Sequence, residues 1–121
     1  MQVIVNPSVA THNITQAQAR RIFSMRQASW PDDAIITVYV MEDTHKTHIT
    51  FSTQVLGLFP YQLDRIWNKL VYSGLGEEPI KVSTEQEMLE KISSTPGAIG
   101  YFMNFEEIDT ANVKILQVVK G

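Results

Sequence analysis

Two histidines and an aspartate near the middle of the chain have the spacing of possible metal ligands. His45 and His48 lie three residues apart, which places both rings on one face of a helix, and Asp43 precedes them closely. Zinc sites use three or four protein ligands, and no further strong ligand accompanies this set. We therefore interpret these residues as polar surface groups and predict no metal site.

Other groups of reactive residue types match no catalytic pattern. No serine lies in a nucleophile elbow, and Glu106, Glu107 and Asp109 lie in a polar loop with nothing to position a water or substrate between them. The Ser-Gly-Leu-Gly run at residues 73–76 lacks the Lys-Ser/Thr pair of a phosphate-binding loop, so it indicates the end of a helix. The glutamates at positions 77, 78, 85, 87 and 90 indicate a solvated acidic face. We expect no enzyme activity and no cofactor.

Apolar spacing divides the chain into strands that alternate with helices. Strands are predicted at residues 3–5, 34–41, 80–82, 98–102 and 113–119. Helices of about ten to fourteen residues between strands imply right-handed crossovers and a sheet covered on both faces. We therefore predict an α/β fold: one three-layer α/β/α domain over residues 1–121 with a mostly parallel mixed sheet.

Capping residues predict where the helices begin. Thr15 with Gln18 forms a capping box for the first helix, and Pro60 opens the clearest amphipathic pattern. The other predicted starts are Asp43-Thr44 and Ser83 with Gln86. Gly57 and Gly74 indicate helix ends.

Composition excludes several classes of function. The 121 residues carry a net charge of −3 with no basic stripe, so we expect no nucleic-acid binding. The absence of cysteine excludes disulfides, zinc thiolates and thiol nucleophiles. The sequence contains no run of about 18 apolar residues, so we predict no membrane-spanning helix. The start of the chain lacks a basic segment followed by an apolar one, so a signal peptide is either absent or already removed.

A series of landmarks in fixed order resembles one protein family. The landmarks are Ile22-Phe23, Trp30-Pro31, Phe51 with Leu56-Gly57, Trp67, Ser73-Gly74 and the run Thr95-Pro96-Gly97-Ala98-Ile99-Gly100-Tyr101. At these intervals the sequence resembles the second lobe of the phosphate-binding proteins that serve ABC transporters, especially their short single-lobe relatives. The resemblance extends from residue 3 to about residue 101 and implies one lobe of a type II periplasmic binding protein.

The resemblance also implies a ligand site at one helix start. In the family, the strand matching residues 36–40 leads into an Arg-Ser-Asp-Gly-Ser-Gly-Thr run, where the arginine, hydroxyls and backbone N–H groups bind the anion. The matching residues 41–47 here read Met-Glu-Asp-Thr-His-Lys-Thr, so the aspartate and the threonine are kept and the arginine and both glycines are replaced. The candidate ligand-binding residues are Asp43, Thr44, His45, Lys46 and Thr47.

Two functions remain open from the sequence. The first is a small phosphate-binding-protein-like module that binds phosphate or another small anion weakly in association with ABC transport, in the periplasm if a signal peptide has been removed. Lys46 or protonated His45 would supply the positive charge as a point charge rather than a planar fork, and a single lobe would leave the anion half solvated unless self-association added a second wall. The alternative is a ligand-free interaction module of the bacterial envelope that kept the fold, lost the anion site and binds a protein partner.

Overall fold

Six strands form one mixed sheet in the computed structural model, which describes residues 1–103 and 112–120. The strands are β1 (Gln2–Val5), β2 (Asn13–Thr15), β3 (Thr37–Met41), β4 (Ile80–Val82), β5 (Ala98–Phe102) and β6 (Lys114–Val119). Their order across the sheet is β2-β6-β1-β5-β3-β4. The five predicted strands are present, although β3 begins at Thr37 rather than at residue 34, and β2 is an addition that the apolar pattern did not predict.

All strands except β1 run in the same direction. β3 pairs in parallel with β4 and β5, and β2 pairs in parallel with β6. β1 lies antiparallel between β5 and β6, so the predicted mostly parallel mixed sheet is confirmed. The carboxyl ends of five strands therefore meet the amino end of β1 at one edge of the sheet, which we call the carboxyl edge.

The helices are α1 (Gln16–Phe23), α2 (Lys46–Thr50), α3 (Pro60–Ser73) and α4 (Glu85–Ser94), and α2 continues as a π-helical segment at Phe51–Leu56. The capping box of Thr15 and Gln18 is confirmed at the start of α1. Pro60 begins α3, and Gly57 and Gly74 end their helices in the left-handed conformation as predicted. On α3, Leu63 and Trp67 are buried, whereas Val71 near the end of the helix is 46% exposed.

Two predicted helix starts are wrong by one or two residues. The N-cap of α2 is His45, whose ring accepts the Thr47 N–H, so the helix begins after the predicted Asp43-Thr44. The N-cap of α4 is Thr84 rather than Ser83. The Thr84 hydroxyl accepts the Glu87 N–H at 3.0 Å, and the Glu87 carboxylate accepts the Ser83 N–H at 2.7 Å. A carboxylate is favoured at this position because it also interacts with the helix dipole.

Neighbouring residues of β5 show that helices cover both faces of the sheet. A Cβ atom on Gly100 would lie 2.6 Å from the Met88 sulfur of α4, so a larger residue here would displace that side chain. The next residue, Tyr101, points to the opposite face, where its ring stacks on Phe51 at 4.0 Å and packs near Phe23 of α1. The predicted three-layer arrangement is confirmed, and Gly100 lies close to α4.

Both tryptophans lie in the core. Trp30 and Trp67 are buried, and their indole N–H groups donate to the carbonyls of Gly97 at 3.0 Å and Phe23 at 2.8 Å. Each indole thus combines apolar burial with a satisfied polar atom.

Two further expectations concern a membrane-spanning helix and the acidic loop. Within the described residues, no helix is both long enough and apolar enough to cross a membrane. The acidic loop residues Glu106, Glu107 and Asp109 lie outside the described residues.

Candidate functional site

The five candidate residues form the turn after β3 and the first two residues of α2, at the carboxyl edge. Thr44 and Lys46 are exposed, Asp43 and His45 are half-buried, and the Thr47 side chain is 4% exposed. The structure thus separates them into an outer pair and an inner group. The Thr47 N–H, one of the donors at the start of the helix, is already bound by His45 Nδ1 at 3.1 Å. Lys46 is the exposed positive group of this segment.

The carboxylate of Glu85 lies against the inner group. Its Oε1 accepts the Thr47 hydroxyl at 2.8 Å and the Met103 N–H at 3.1 Å. Thr47 follows β3, Glu85 follows β4 and Met103 follows β5, so connections from three parallel strands meet at one oxygen. For Glu85, the interpretation as part of a solvated acidic face is therefore wrong. Two donors converging on one oxygen are an arrangement that recognises an oxyanion.

His48 lies directly behind this group, fully buried on α2, so its interpretation as a surface residue is wrong. Its Nδ1 lies 2.6 Å from the Tyr101 hydroxyl, which also accepts the Met41 N–H at 2.8 Å. With the imidazole proton on Nε2, where it faces Asp43 Oδ1 at 3.9 Å, Nδ1 accepts the Tyr101 O–H. Burial lowers the pKa of His48 below 6.5, an effect that the Asp43 charge partly offsets. Burial also raises the pKa of Tyr101. Both groups are therefore neutral at pH 7.

Asp43 links His48 to a second group of charges. Its Oδ1 lies 3.9 Å from His48 Nε2 and 3.9 Å from Lys81 Nζ on β4. Within the described part of the chain, neither Asp43 Oδ1 nor His48 Nε2 has a hydrogen-bond partner. Asp64 of α3 also faces Asp43. Burial, then the hydrogen bond and charge of Asp43, raise the pKa of Asp64 to about 6. The Asp64 carboxyl is therefore partly protonated in mildly acidic solution.

We expect the substitution Asp64→Asn to change how stability depends on pH. The pKa of Asp64 is raised from 3.8 to about 6 in the folded protein, so this residue stabilises the fold below about pH 4 and loses that contribution as the pH rises through about 6. His48 acts in the opposite sense: its pKa is lowered, so its contribution is present above pH 6.5 and is lost on acidification. In Asp64→Asn, the free energy of unfolding should still fall on acidification, because of His48, but should no longer fall as the pH rises through about 6. Urea unfolding between pH 4 and 7.5 measures this profile.

Asp33→Asn is the matched control for this experiment. Asp33 is exposed in the turn before β3, and the substitution removes the same charge away from the Asp43 pair. If Asp64→Asn and Asp33→Asn have the same pH profile, the raised pKa assigned to Asp64 is wrong.

The cleft at the carboxyl edge is separate from the five candidate residues. A cleft of about 390 Å³ opens beside β1 and β6, lined mainly by glutamine and aliphatic side chains, and none of the five candidate residues lines it. Within residues 1–103 and 112–120, no set of three or more His, Cys, Asp or Glu side chains is arranged to hold a metal ion.

Sequence reasoning missed the side chains that complete the site. Glu85, Asp64, Lys81 and Tyr101 come from four other elements, and their contacts with residues 43–48 span long stretches of sequence. A partial signal was available. Ligands of parallel sheets bind beyond the carboxyl ends of the strands, so the residues just after the predicted strands at 80–82 and 98–102 were candidates by position.

The fold matches solved structures of phosphate receptors. The phosphate ABC transport receptor of Vibrio cholerae superposes with a TM-score of 0.73 at 17% identity, over 97% of this chain and 45% of the receptor. PstS of Borrelia burgdorferi gives 0.70 at 21% identity, over 97% of this chain and 46% of PstS. This chain has the fold of one lobe of such receptors.

A third structure adds a ligand to the comparison. A protein of Clostridium perfringens, described as a phosphate ABC transporter substrate-binding protein with bound phosphate, gives a TM-score of 0.73 at 19% identity, over 97% of this chain and 44% of that protein. The chain thus spans less than half the length of the receptors it matches. No protein-family model and no curated protein matches the sequence. The similarity confirms the resemblance at the level of the fold.

Proposed function

We propose that residues 1–121 form one anion-binding lobe of the phosphate-receptor type, which binds phosphate or a similar oxyanion weakly in periplasmic ABC transport. The observation that carries this proposal is the convergence of the Thr47 hydroxyl and the Met103 N–H on one carboxylate oxygen. An oxygen of phosphate has the charge and size to take the same two hydrogen bonds. A binding role rather than a catalytic one follows the receptors of similar fold.

The surrounding charges support weak rather than tight binding. Lys46 offers an exposed ammonium beside the site, whereas Lys81 is shared with Asp43. Asp43 and Glu85 place negative charge close to any bound anion, and the described residues form one wall only, so the anion keeps part of its hydration. We therefore expect a dissociation constant in the millimolar range, which corresponds to about −4 kcal/mol.

We expect inorganic phosphate to raise the midpoint of thermal unfolding. At ten times the dissociation constant it should add about 1.4 kcal/mol, which is a rise of roughly 5 °C for a domain of this size. Thr47→Val keeps the side-chain shape and removes one donor. It should weaken binding by up to about fivefold, because one hydrogen bond contributes about 1 kcal/mol. Sodium chloride at matched ionic strength corrects for screening.

Thr53→Val provides the matched control. Thr53 lies on the same helical run, and its hydroxyl donates to the Ile49 carbonyl at 2.8 Å without touching the site. Equal phosphate affinity in the Thr47 and Thr53 variants would exclude this site. A midpoint unaffected by phosphate would exclude anion binding by the wild-type protein.

A second candidate function is docking to a protein partner without a ligand. At the start of α3, Phe59 and Tyr61 stack at 5.8 Å although they are 57% and 60% exposed, and Arg65 lies 6.0 Å from the Tyr61 ring. Exposed aromatic and arginine side chains are enriched where proteins bind each other. A larger species in sedimentation, together with no response to phosphate, would favour this function.

A further inference from the structure

The Glu85 side chain is not needed to cap its own helix. It is the first residue of α4, where a carboxylate would ordinarily bind the free N–H groups of the helix. That role belongs to its neighbours: Thr84 accepts the Glu87 N–H, and Glu87 accepts the Ser83 N–H. The Glu85 carboxylate instead reaches across to Thr47 and Met103. Its position therefore reflects these two donors rather than the helix that carries it.

The two donors and their acceptor reproduce the chemistry of anion recognition within the chain. A hydroxyl and a backbone N–H are donors of the kind that bind a free oxyanion, and a carboxylate oxygen is itself an oxyanion. An external anion that used these donors would have to displace the Glu85 oxygen.

We propose that Glu85 acts as an internal ligand that occupies the oxyanion position and thereby sets the anion affinity and charge selectivity of the site. This inference rests on the proposed function. While the carboxylate is bound, both donors are used and its negative charge repels a second anion. An external anion binds only when the side chain rotates away, so the apparent affinity is reduced by the fraction of molecules in which the site is free.

Removing the carboxylate should strengthen the binding of inorganic phosphate. We expect Glu85→Ala to bind phosphate at least about tenfold more tightly than wild type, because two donors are released and a like charge is lost. Glu85→Gln keeps an oxygen for both donors but loses the charge, and hydrogen bonds to a neutral acceptor are weaker. Its affinity should lie between those of wild type and Glu85→Ala. A side chain that only braced the structure would not produce this order.

Glu87→Ala is the matched control. It removes a carboxylate from the same turn of α4 and breaks its bond to the Ser83 N–H, but it leaves Thr47 and Met103 untouched. Its phosphate affinity should stay within about twofold of wild type. Isothermal titration with inorganic phosphate at constant ionic strength measures all variants, and their thermal midpoints show that each is folded. The double variant Glu85→Ala, Thr47→Val should lose the gain in phosphate affinity expected of Glu85→Ala alone.

The outcomes separate this inference from the proposed function. A gain in Glu85→Ala that depends on Thr47 supports the inference, even where wild type shows no measurable binding and the proposed function fails for the unmodified chain. Thr47-dependent binding by wild type, with no gain in folded Glu85→Ala over Glu87→Ala, overturns the inference and leaves the proposed function standing. If no folded variant binds phosphate measurably, both the inference and the proposed function are overturned.

Discussion

Replacing Gly97 with alanine should destabilise the protein by about 4 kcal/mol, a large part of the stability of a typical domain. Gly97 has a φ of 78°, a conformation that costs a residue with a Cβ atom about 1–2 kcal/mol. The added Cβ would also overlap the carbonyl oxygen of Ile35. Overpacking of this kind costs about a further 1–3 kcal/mol.

Neither side of this contact is free to move away. The Gly97 N–H donates to the Ser8 hydroxyl at 3.0 Å, and its carbonyl accepts the Trp30 indole at 3.0 Å. On the other side, Ile35 forms a bridge with Ser29, and the Ile36 N–H donates to the Ala28 carbonyl. Relief of the overlap would therefore break hydrogen bonds in one of the two segments.

Gly74→Ala separates the two contributions. Gly74 has a φ of 73°, but a Cβ atom there would meet no other described atom within 4 Å. This variant should lose only about 1 kcal/mol, the conformational part. Urea unfolding of both variants gives the difference directly. Losses within about 1 kcal/mol of each other would show that the Ile35 contact is unimportant.

Tyr101→Phe should destabilise the fold by about 3 kcal/mol although it removes a single oxygen atom. The hydroxyl accepts the Met41 N–H and donates to His48 Nδ1, and both partners are buried. Without it, a backbone donor and a ring nitrogen are left without partners, and each such group costs about 1–3 kcal/mol. The aromatic packing on Phe51 is retained, so the loss measures the polar contacts.

Tyr39→Phe is the control for this prediction. Tyr39 lies on the adjacent strand β3, and its hydroxyl contacts the Thr95 hydroxyl at 3.2 Å in a partly buried position. Water can replace this contact, so we expect a loss below about 1 kcal/mol. Chemical denaturation at pH 7 compares the two variants. Equal losses would contradict the role assigned to the Tyr101 hydroxyl.

The sequence predicts those parts of the fold that depend on local patterns. The Thr15 capping box, the proline at the start of α3 and the glycine that ends it are signals contained within a few residues. β2 has no such signal, because Ile14 is its only apolar residue and its strand conformation depends on pairing with β6. Its existence could not be predicted without the tertiary structure.

The order of landmarks predicts the architecture because several landmarks meet in one aromatic cluster. Phe23 and Phe51 lie 4.7 Å apart, Phe51 stacks on Tyr101, and Trp67 donates its indole N–H to the carbonyl of Phe23. Residues that pack together in this way restrict each other's size and spacing. A sequence can therefore resemble a fold through its core while its surface differs.

Only part of the candidate site could be predicted, because only part of it is continuous in sequence. The segment at residues 43–47 is continuous in sequence, so its position after β3 follows from the strand pattern. The contacts of Thr47 with Glu85 and of His48 with Tyr101 join residues 38 and 53 positions apart. Residue type alone does not place either side chain, and only their partners explain why His48 is buried and Glu85 is half-buried.

The position of β1 has a consequence for how the protein is made. This first strand lies between β5 and β6, so nearly the whole chain separates it from both of its partners. Such distant pairing gives a high contact order, which slows folding. During synthesis, the apolar Val3-Ile4-Val5 segment stays unpaired until its partners at residues 98–102 and 114–119 have left the ribosome. The centre of the sheet is thus the last part to close, and its first strand is the segment that most needs protection from aggregation before then.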